Sequence, residues 1–353
     1  MDNDKIKIAI NQGDINGTGF EMIMKAFAEP EMMDICIPII YGSRKAAIFH
    51  AKTLGLQCQF NFIDKAEDAV DGKINVVKCP EDNSRVEFGA STETSVVSAI
   101  ESLEKAVNDI HAKKFDALVC APMKREAFNT EKASFTGDVK YISSVMESEA
   151  SVFEVYVGRS SKIMFMDADS KDAADSNAIA GRIRTLHKSL RRNFRISNPR
   201  MAVLTDTIDD RKEIITTALS FLTNEGIQAF GPYCAKDFTD SNDSCAFAGI
   251  LSISSMTPEE DSTVLLSGMP EVCVIMNSDP HCDIAGKGLA DESLMRKAIY
   301  QAIDTCRFRK EYDEPTANPL QKLYRERPDS GEKMRFAIPK RKEDNGQQQT
   351  AGH

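Results

Sequence analysis

Short apolar segments rich in β-branched residues alternate along most of this chain with longer segments whose apolar residues recur at helical spacing. The first strand-like segment, Lys5–Asn11 (KIKIAIN), is followed by a helix-period segment at Gly19–Ala28, and the pattern continues as far as Arg309. Alternation of this kind predicts parallel strands with helices packed on both faces of the sheet. The chain is therefore predicted to be an α/β protein with a parallel or mixed sheet.

The individual elements are read from apolar periodicity and from the glycine and proline residues that bound them. The predicted strands are Lys5–Asn11, Ile35–Tyr41, Lys73–Lys78, Asp116–Ala121, Ser151–Val157, Lys162–Met166, Arg200–Leu204, Ala248–Ile253 and Glu271–Met276. The predicted helices are Gly19–Ala28, Arg44–Leu54, Ser91–Lys113, Ala178–Phe194, Lys212–Asn224 and Asp291–Arg309.

Length and charge exclude several classes of protein. The chain has 353 residues, of which 42% are hydrophobic, which is enough for a buried core and about two domains. A formal net charge of −10 argues against a general nucleic-acid binder, because such proteins neutralise phosphates. The apolar runs fall short of the ~20 residues that a bilayer requires, and the start lacks a signal-peptide pattern, so we expect a cytoplasmic protein without membrane contact.

Three further features are predicted to be structurally ordinary. Nine cysteines occur singly, so no disulfide framework or zinc knuckle is indicated. The basic run His187–Arg195 has helical spacing and is predicted to form a solvated helix face. Residues 326–353 are polar and lack apolar periodicity, which predicts a disordered tail.

Two glycine-bearing turns are candidate phosphate sites. The first, Gln12–Glu21 (QGDINGTGFE), leads from a strand into a helix, and a helix start attracts anions. The second, Asp283–Gly288 (DIAGKG), follows a strand, and Lys287 could supply a point charge for phosphate. For each turn the alternative is an ordinary glycine turn between two elements, and the residues alone leave both interpretations open.

Together these turns and several other segments resemble the 4-hydroxythreonine-4-phosphate dehydrogenase family of vitamin B6 biosynthesis. The resemblance extends from Ile6 to Arg309 and includes GDINGTGFE, AFGPY at Ala229–Tyr233, Gly268-Met269-Pro270 and DIAGKG, in that order. It implies a two-domain α/β fold like that of isocitrate and isopropylmalate dehydrogenases, and a homodimer with its active site in the interdomain cleft. The implied domains are 1–130 plus 262–325, and 131–261, which is expected to form the dimer.

The resemblance also implies a reaction and its cofactors. Family members oxidise a phosphorylated hydroxyamino acid with NAD, and a divalent metal held by three histidines polarises the substrate. The residues that correspond to the family's nucleotide loop here are Asp283, Ile284, Gly286 and Lys287. NAD is therefore the cofactor implied by the resemblance.

This chain departs from the family pattern at the substrate and metal positions. The family's His-Thr pair reads Asp138-Val139, and the segments corresponding to the three metal histidines contain no histidine: Met166–Ser170, Asp206–Asp210 and Ser254–Pro258. The family's asparagine and arginine substrate contacts read Val264 and Cys273, and Asp279-Pro280 replaces part of the approach to DIAGKG. We therefore expect that the histidine-held metal site is absent.

Two functional hypotheses follow. The first is a non-catalytic dimeric relative that binds a partner or a small anionic ligand in a remodelled cleft, with Lys124, Arg125 and Asp138 as the candidate cleft residues. The second is an active NAD-dependent oxidoreductase with a changed substrate and a carboxylate metal site. Its candidate ligands are Asp167, Asp169, Asp206, Asp209 and Asp210. The first hypothesis is favoured because the substrate contacts are replaced together with the metal ligands.

Overall fold

The computed structural model describes residues 5–79, 85–126, 128–129, 134–146, 152–158, 162–240 and 246–317. The tail predicted at 326–353 lies outside these residues. Within them the structure has fourteen strands: β1 (Ile6–Asn11), β2 (Cys36–Gly42), β3 (Phe60–Ile63), β4 (Ile74–Lys78), β5 (Ala117–Cys120), β6 (Phe128–Asn129), β7 (Ser134–Phe135), β8 (Phe153–Val157), β9 (Lys162–Phe165), β10 (Met201–Thr205), β11 (Ala229–Cys234), β12 (Gly249–Ile253), β13 (Ser262–Ser267) and β14 (Val272–Asn277).

The described helices cover the sheet on both faces. They are α1 (Gly19–Ala26), α2 (Glu31–Ile35), α3 (Arg44–Leu54), α4 (Glu93–His111), α5 (Asp138–Val145), α6 (Ser176–Phe194), α7 (Ile208–Asn224), α8 (Ala235–Asp240) and α9 (Ser293–Ala317). Side-chain hydrogen bonds fix where two of these helices begin. The Ser43 hydroxyl accepts a hydrogen bond from the Ala46 amide at the start of α3, and Thr92 and Ser95 form a reciprocal capping box at α4.

Twelve of the strands form one mixed sheet in the order β11-β10-β12-β9-β8-β13-β14-β5-β1-β2-β4-β3, and β6 and β7 pair separately. The six strands from β14 to β3 are parallel to one another, as are the four from β11 to β9. Between these groups, β8 and β13 pair antiparallel with each other and with their neighbours. The predicted α/β class is confirmed.

A short turn explains why β13 and β14 run antiparallel. A turn at Ser267–Glu271 joins β13 directly to β14, and Gly268 adopts a φ of 93° there, which a residue with a side chain rarely adopts. A connection this short reverses the chain, whereas a parallel pair needs a crossover of a dozen or more residues. The turn therefore makes β13 antiparallel to β14, the edge strand of the larger parallel group.

The hydrophobic core consists of separate clusters beside the two parallel groups of strands. One cluster lies under α1, α3 and α9, and a second lies on the opposite face under α4 and α5. A third cluster packs α6 and α7 against β9, β10 and β12, with a smaller one around α8. The proposed domain boundaries stay a prediction.

The predictions about membrane-spanning segments and about the cysteines can be compared with the structure. None of the helices in the described part of the chain has the length and hydropathy that crossing a bilayer needs. Eight cysteines lie among the described residues and all are free thiols, while Cys245 lies outside them. Burial raises the pKa of the Cys120 thiol well above its ordinary value, as expected for a thiol that packs as a small apolar group.

Candidate active site

The side chain of Arg125 is the centre of a hydrogen-bonded network that joins four elements. Its Nε donates to Oδ2 of Asp138 at 2.8 Å, its Nη2 to Oε1 of Glu154 at 2.5 Å, and its Nη1 to Oδ1 of Asn277 at 3.0 Å. Arg125 follows β5, Asp138 begins α5, Glu154 lies on β8 and Asn277 ends β14. The network thus ties together the strands on both sides of the antiparallel centre.

Burial and charge determine the protonation of this network. Asp138 is 4% exposed, and burial raises the pKa of its carboxyl although the ion pair with Arg125 opposes that rise. Burial alone would lower the pKa of Arg125, but Asp138 and Glu154 outweigh it and raise that pKa. The guanidinium therefore stays charged, and two carboxylates share its charge.

This arrangement corrects the prediction that Arg125 presents a positive charge to an anion. Asp138 and Glu154 both pair with its single charge, so that charge is already engaged within the network. Asp138 was selected from the sequence because of its position, whereas Glu154 and Asn277 were missed. Glu154 lies 29 residues and Asn277 lies 152 residues from Arg125 along the chain, and no local pattern marks such partners. Lys124, the third predicted residue, is exposed.

A cleft of about 400 Å³ lies beside this network, and its lining includes residues of the substrate segment and of the third metal segment that the resemblance assigns. Val139, Phe165, Met256 and Pro258 line it, as does Tyr156. Val139 belongs to the replaced His-Thr pair, Phe165 precedes the first metal segment, and Met256 and Pro258 belong to the third. The substrate segment and the third metal segment therefore lie at one cleft, whose lining is mostly apolar but also includes Glu154, Arg182 and Thr257.

The donor groups near the metal segments are engaged in local hydrogen bonds. Oδ2 of Asp206 accepts from the Ser255 amide at 2.6 Å, and this bond lowers the pKa of Asp206. Oδ1 of Asp167 accepts from the Asp169 amide at 2.9 Å, which shapes its own loop. Among the residues that the structure describes, no three His, Cys, Asp or Glu side chains are grouped so that they could hold a metal ion. These residues do not fit the divalent metal that the family implies.

The first glycine turn is a packing turn. Every residue from 11 to 20 is buried, and a Cβ at Gly17 would lie 2.5 Å from the carbonyl oxygen of Pro280. The Thr18 amide donates to that same oxygen at 2.9 Å. Of the two interpretations left open by the sequence, the structure therefore favours the ordinary glycine turn at this position, because the backbone of the DIAGKG approach covers it.

The DIAGKG loop is held by two neighbouring side chains and remains open to solvent. Nζ of Lys25 donates to the carbonyl oxygens of Gly288 and Ala290 at 2.9 and 2.7 Å. The Phe88 ring packs against Gly286, where a Cβ would lie 2.5 Å from a ring carbon. Asp283 and Lys287 are exposed, whereas Ile284 and Gly286 are partly buried.

This loop fits part of a nucleotide such as NAD. The Lys287 ammonium could meet a phosphate, and the Asp283 carboxylate could accept hydrogen bonds from ribose hydroxyls. The Asp279 carboxylate, which the sequence places near a cofactor phosphate or ribose, accepts a hydrogen bond from the His281 amide at 3.1 Å. Asp283 and Lys287 are therefore the residues that would hold the nucleotide, at the carboxyl end of β14.

Two known proteins are similar to this chain in sequence along most of its length. A 4-hydroxythreonine-4-phosphate dehydrogenase from Bacteroides thetaiotaomicron is 32% identical to this chain over 361 aligned positions, which cover 95% of this chain and 98% of the relative. One from a Sulfurihydrogenibium species is 25% identical and covers 86% of this chain and 100% of the relative.

Solved structures share the fold. The 4-hydroxythreonine-4-phosphate dehydrogenase of Klebsiella pneumoniae superposes with a TM-score of 0.70 at 17% identity, covering 87% of this chain and 99% of that protein. The one from Burkholderia phymatum superposes with a TM-score of 0.64 at 18% identity, covering 85% of this chain and 98% of that protein. The sequence model of the family described as pyridoxal phosphate biosynthetic protein PdxA matches residues 34–302. With more than half of its length matched, this chain belongs to the PdxA family.

Proposed function

We propose that this chain is a non-catalytic member of the PdxA family, a cytoplasmic homodimer that keeps a nucleotide-binding loop but does not carry out the family oxidation. The proposal concerns the NAD-linked oxidation of 4-phosphohydroxythreonine, the reaction that the sequence resemblance implies. Fold alone does not decide this question, because function resides in the site.

The observation that carries the proposal is the closed network around Arg125. Asp138 stands where the family pattern has a substrate-binding histidine, and its carboxylate bonds to Arg125 at 2.8 Å. Glu154 adds a second carboxylate to the same guanidinium. A doubly charged phosphate that approached this position would meet two carboxylates and a cation already bound to them, so the substrate of the family reaction would be repelled.

The lining of the adjoining cleft supports the proposal. Val139 and Met256 can donate no charge-assisted hydrogen bond to a phosphate or to a developing alkoxide. Arg182, the cation of this lining, forms an ion pair with Asp172 at 3.7 Å. A Lewis acid supplies several kcal/mol of transition-state stabilisation in metal-dependent dehydrogenations. The described carboxylates of the relocated-metal hypothesis, Asp206 among them, are not grouped to replace the three histidines.

Steady-state formation of NADH from 4-phosphohydroxythreonine tests the proposal. The full chain is assayed with added Mg²⁺, Mn²⁺ and Zn²⁺ in turn, beside a family member that keeps the three histidines. We expect a rate at least about 10⁴-fold below that of the control, because each ~1.4 kcal/mol of lost stabilisation is a factor of ten. Turnover near ~1 s⁻¹ with any of the metals would overturn the proposal and favour the relocated carboxylate site.

Titration of NAD by calorimetry tests the retained nucleotide loop separately. We expect binding that weakens about tenfold in K287Q, since the lysine would supply the exposed charge for the phosphates. The matched control is K212Q on α7, which removes an exposed lysine remote from the loop. Binding that is equal in wild type and K287Q would show that the loop does not hold the nucleotide.

A further inference from the structure

A second, larger cavity lies between α6, α9 and the turn that joins β13 to β14. Its volume is about 960 Å³, within the range of small-molecule sites. The turn precedes β14, whereas the DIAGKG loop follows it, so the cavity and the nucleotide loop lie at opposite ends of that strand. Arg182 and Phe153 line both this cavity and the smaller cleft.

The lining of this cavity is strongly basic. Five cations and one acid contribute to it: Arg182, Arg184, Lys188, Arg192, Arg309 and Asp172. Three of the arginines have carboxylate partners, namely Asp172 at 3.7 Å for Arg182, Glu225 at 2.6 Å for Arg184 and Asp313 at 2.6 Å for Arg192. Asp313, the partner of Arg192, is also the carboxylate whose charge acts on Arg309 and Lys188. One carboxylate therefore faces three cations, which leaves a net positive charge there.

Arg309 is the least satisfied of these groups. It is 5% exposed, its Nε donates to Oδ1 of Asn193 at 2.8 Å, and its Nη1 donates to the carbonyl oxygens of Pro270 and Glu271 at 2.6 and 2.9 Å. Its Nη2 is buried and has no hydrogen-bond partner. Burial, with the nearby charge of Arg192, lowers the pKa of Arg309 to about 10, so the guanidinium is charged at neutral pH.

An unpaired buried charge is unfavourable unless something compensates it. Neutral groups surround the guanidinium on one side: the Ser189 and Ser267 hydroxyls lie 2.9 Å apart, and Nδ2 of Asn193 donates to both. These contacts hold the Asn193 side chain against Arg309 but supply no negative charge. An anion in the cavity would supply it.

We infer that this cavity binds a small phosphorylated ligand, whose phosphate lies between Arg309 and the basic face of α6. A phosphate monoester carries close to two negative charges at neutral pH, which matches the excess of cations over carboxylates among Lys188, Arg192, Arg309 and Asp313. The planar guanidinium groups suit phosphate oxygens, and the volume leaves room for an organic substituent. This inference does not depend on the proposed loss of the family reaction.

Calorimetric titration of the full chain with inorganic pyrophosphate tests the inference, at an ionic strength held constant with sodium chloride. We expect saturable binding at one site per chain that weakens at least about tenfold in the double variant K188Q/R192Q. R191Q is the matched control, because Arg191 lies on the same helix, is exposed and does not line the cavity. R191Q should bind pyrophosphate as wild type does.

Each possible result of the titrations either supports or contradicts phosphate binding in the cavity. A heat signal no larger than that of sodium chloride alone, or equal affinity in wild type and K188Q/R192Q, would overturn the inference. R309K keeps the charge of the buried residue but loses its fork of donors, and affinity between those of wild type and the double variant would support the role of Arg309.

Discussion

At the scale of single residues, Arg125 is the group whose removal should matter most for folding. Replacing it in R125M would leave Asp138 and Glu154 facing each other without their shared cation. Removing one partner of a buried ion pair typically destabilises a protein by several kcal/mol, so we expect a loss of about 3 kcal/mol in the free energy of unfolding. Denaturant unfolding measures this loss, with K140M on the exposed side of α5 as control.

We expect a lower pH to reduce the destabilisation caused by R125M. Asp138 has a raised pKa in the folded wild type, so its contribution to stability is present at low pH and is lost as pH rises through the folded pKa. Without Arg125 the two carboxylates repel each other, which raises that pKa further. The difference in unfolding free energy between wild type and R125M should therefore shrink between pH 7 and pH 4. A difference that is constant across this range would show that charge is not its cause.

The network around Arg125 shows which features of a site the sequence can predict. Asp138 and Arg125 were found because they occupy positions of a recognisable family pattern. The state of Arg125 was not predicted, because it depends on Glu154 and Asn277, which only the folded sheet brings beside it. The basic face of α6 was predicted to be merely solvated for the same reason: Arg309, which completes the cavity, lies on α9.

At the scale of elements, the segments with clear periodicity were predicted well. The helix at Arg44–Leu54 has its predicted bounds, and α6 begins two residues before the predicted start. Three strands of the large sheet were missed. β3 has four half-buried residues, β11 contains Gly231 and Pro232, and β13 is buried throughout, so none of them shows the alternation that marks a strand.

The contact between the two glycine turns should be sensitive to one added methyl group. In G17A the new Cβ would lie 2.5 Å from the Pro280 carbonyl oxygen and 2.9 Å from its Cβ, and neither atom belongs to a flexible side chain. The two loops must then separate, which we expect to lower the free energy of unfolding by about 1–3 kcal/mol. Thermal or denaturant unfolding measures the effect.

The matched control for this prediction is G181A within α6. A Cβ at Gly181 meets no atom within 4 Å, and alanine is the better helix former by up to ~1 kcal/mol. We therefore expect G181A to be as stable as wild type or more stable. Equal stability of G17A and G181A would show that the close approach at Pro280 does not constrain the fold.

At the scale of the whole molecule, charge is distributed unevenly. The chain carries a formal net charge of −10, yet five cations line the cavity between α6 and α9. Net charge argues against the extended basic surface of a nucleic-acid binder but says nothing about a local concentration of arginines. A small anion can therefore be attracted to one site of an acidic protein.

The last prediction concerns assembly. The family resemblance implies a homodimer formed through residues 131–261, and the twelve-stranded sheet restricts how two copies can meet. At one edge of that sheet, β11 contains Pro232, which has no amide hydrogen to donate, so pairing of two β11 strands is disfavoured. We therefore expect the copies to meet through helices. Light scattering at micromolar concentration should give about twice the chain mass of 39.1 kDa, and a mass near 39.1 kDa would contradict the prediction.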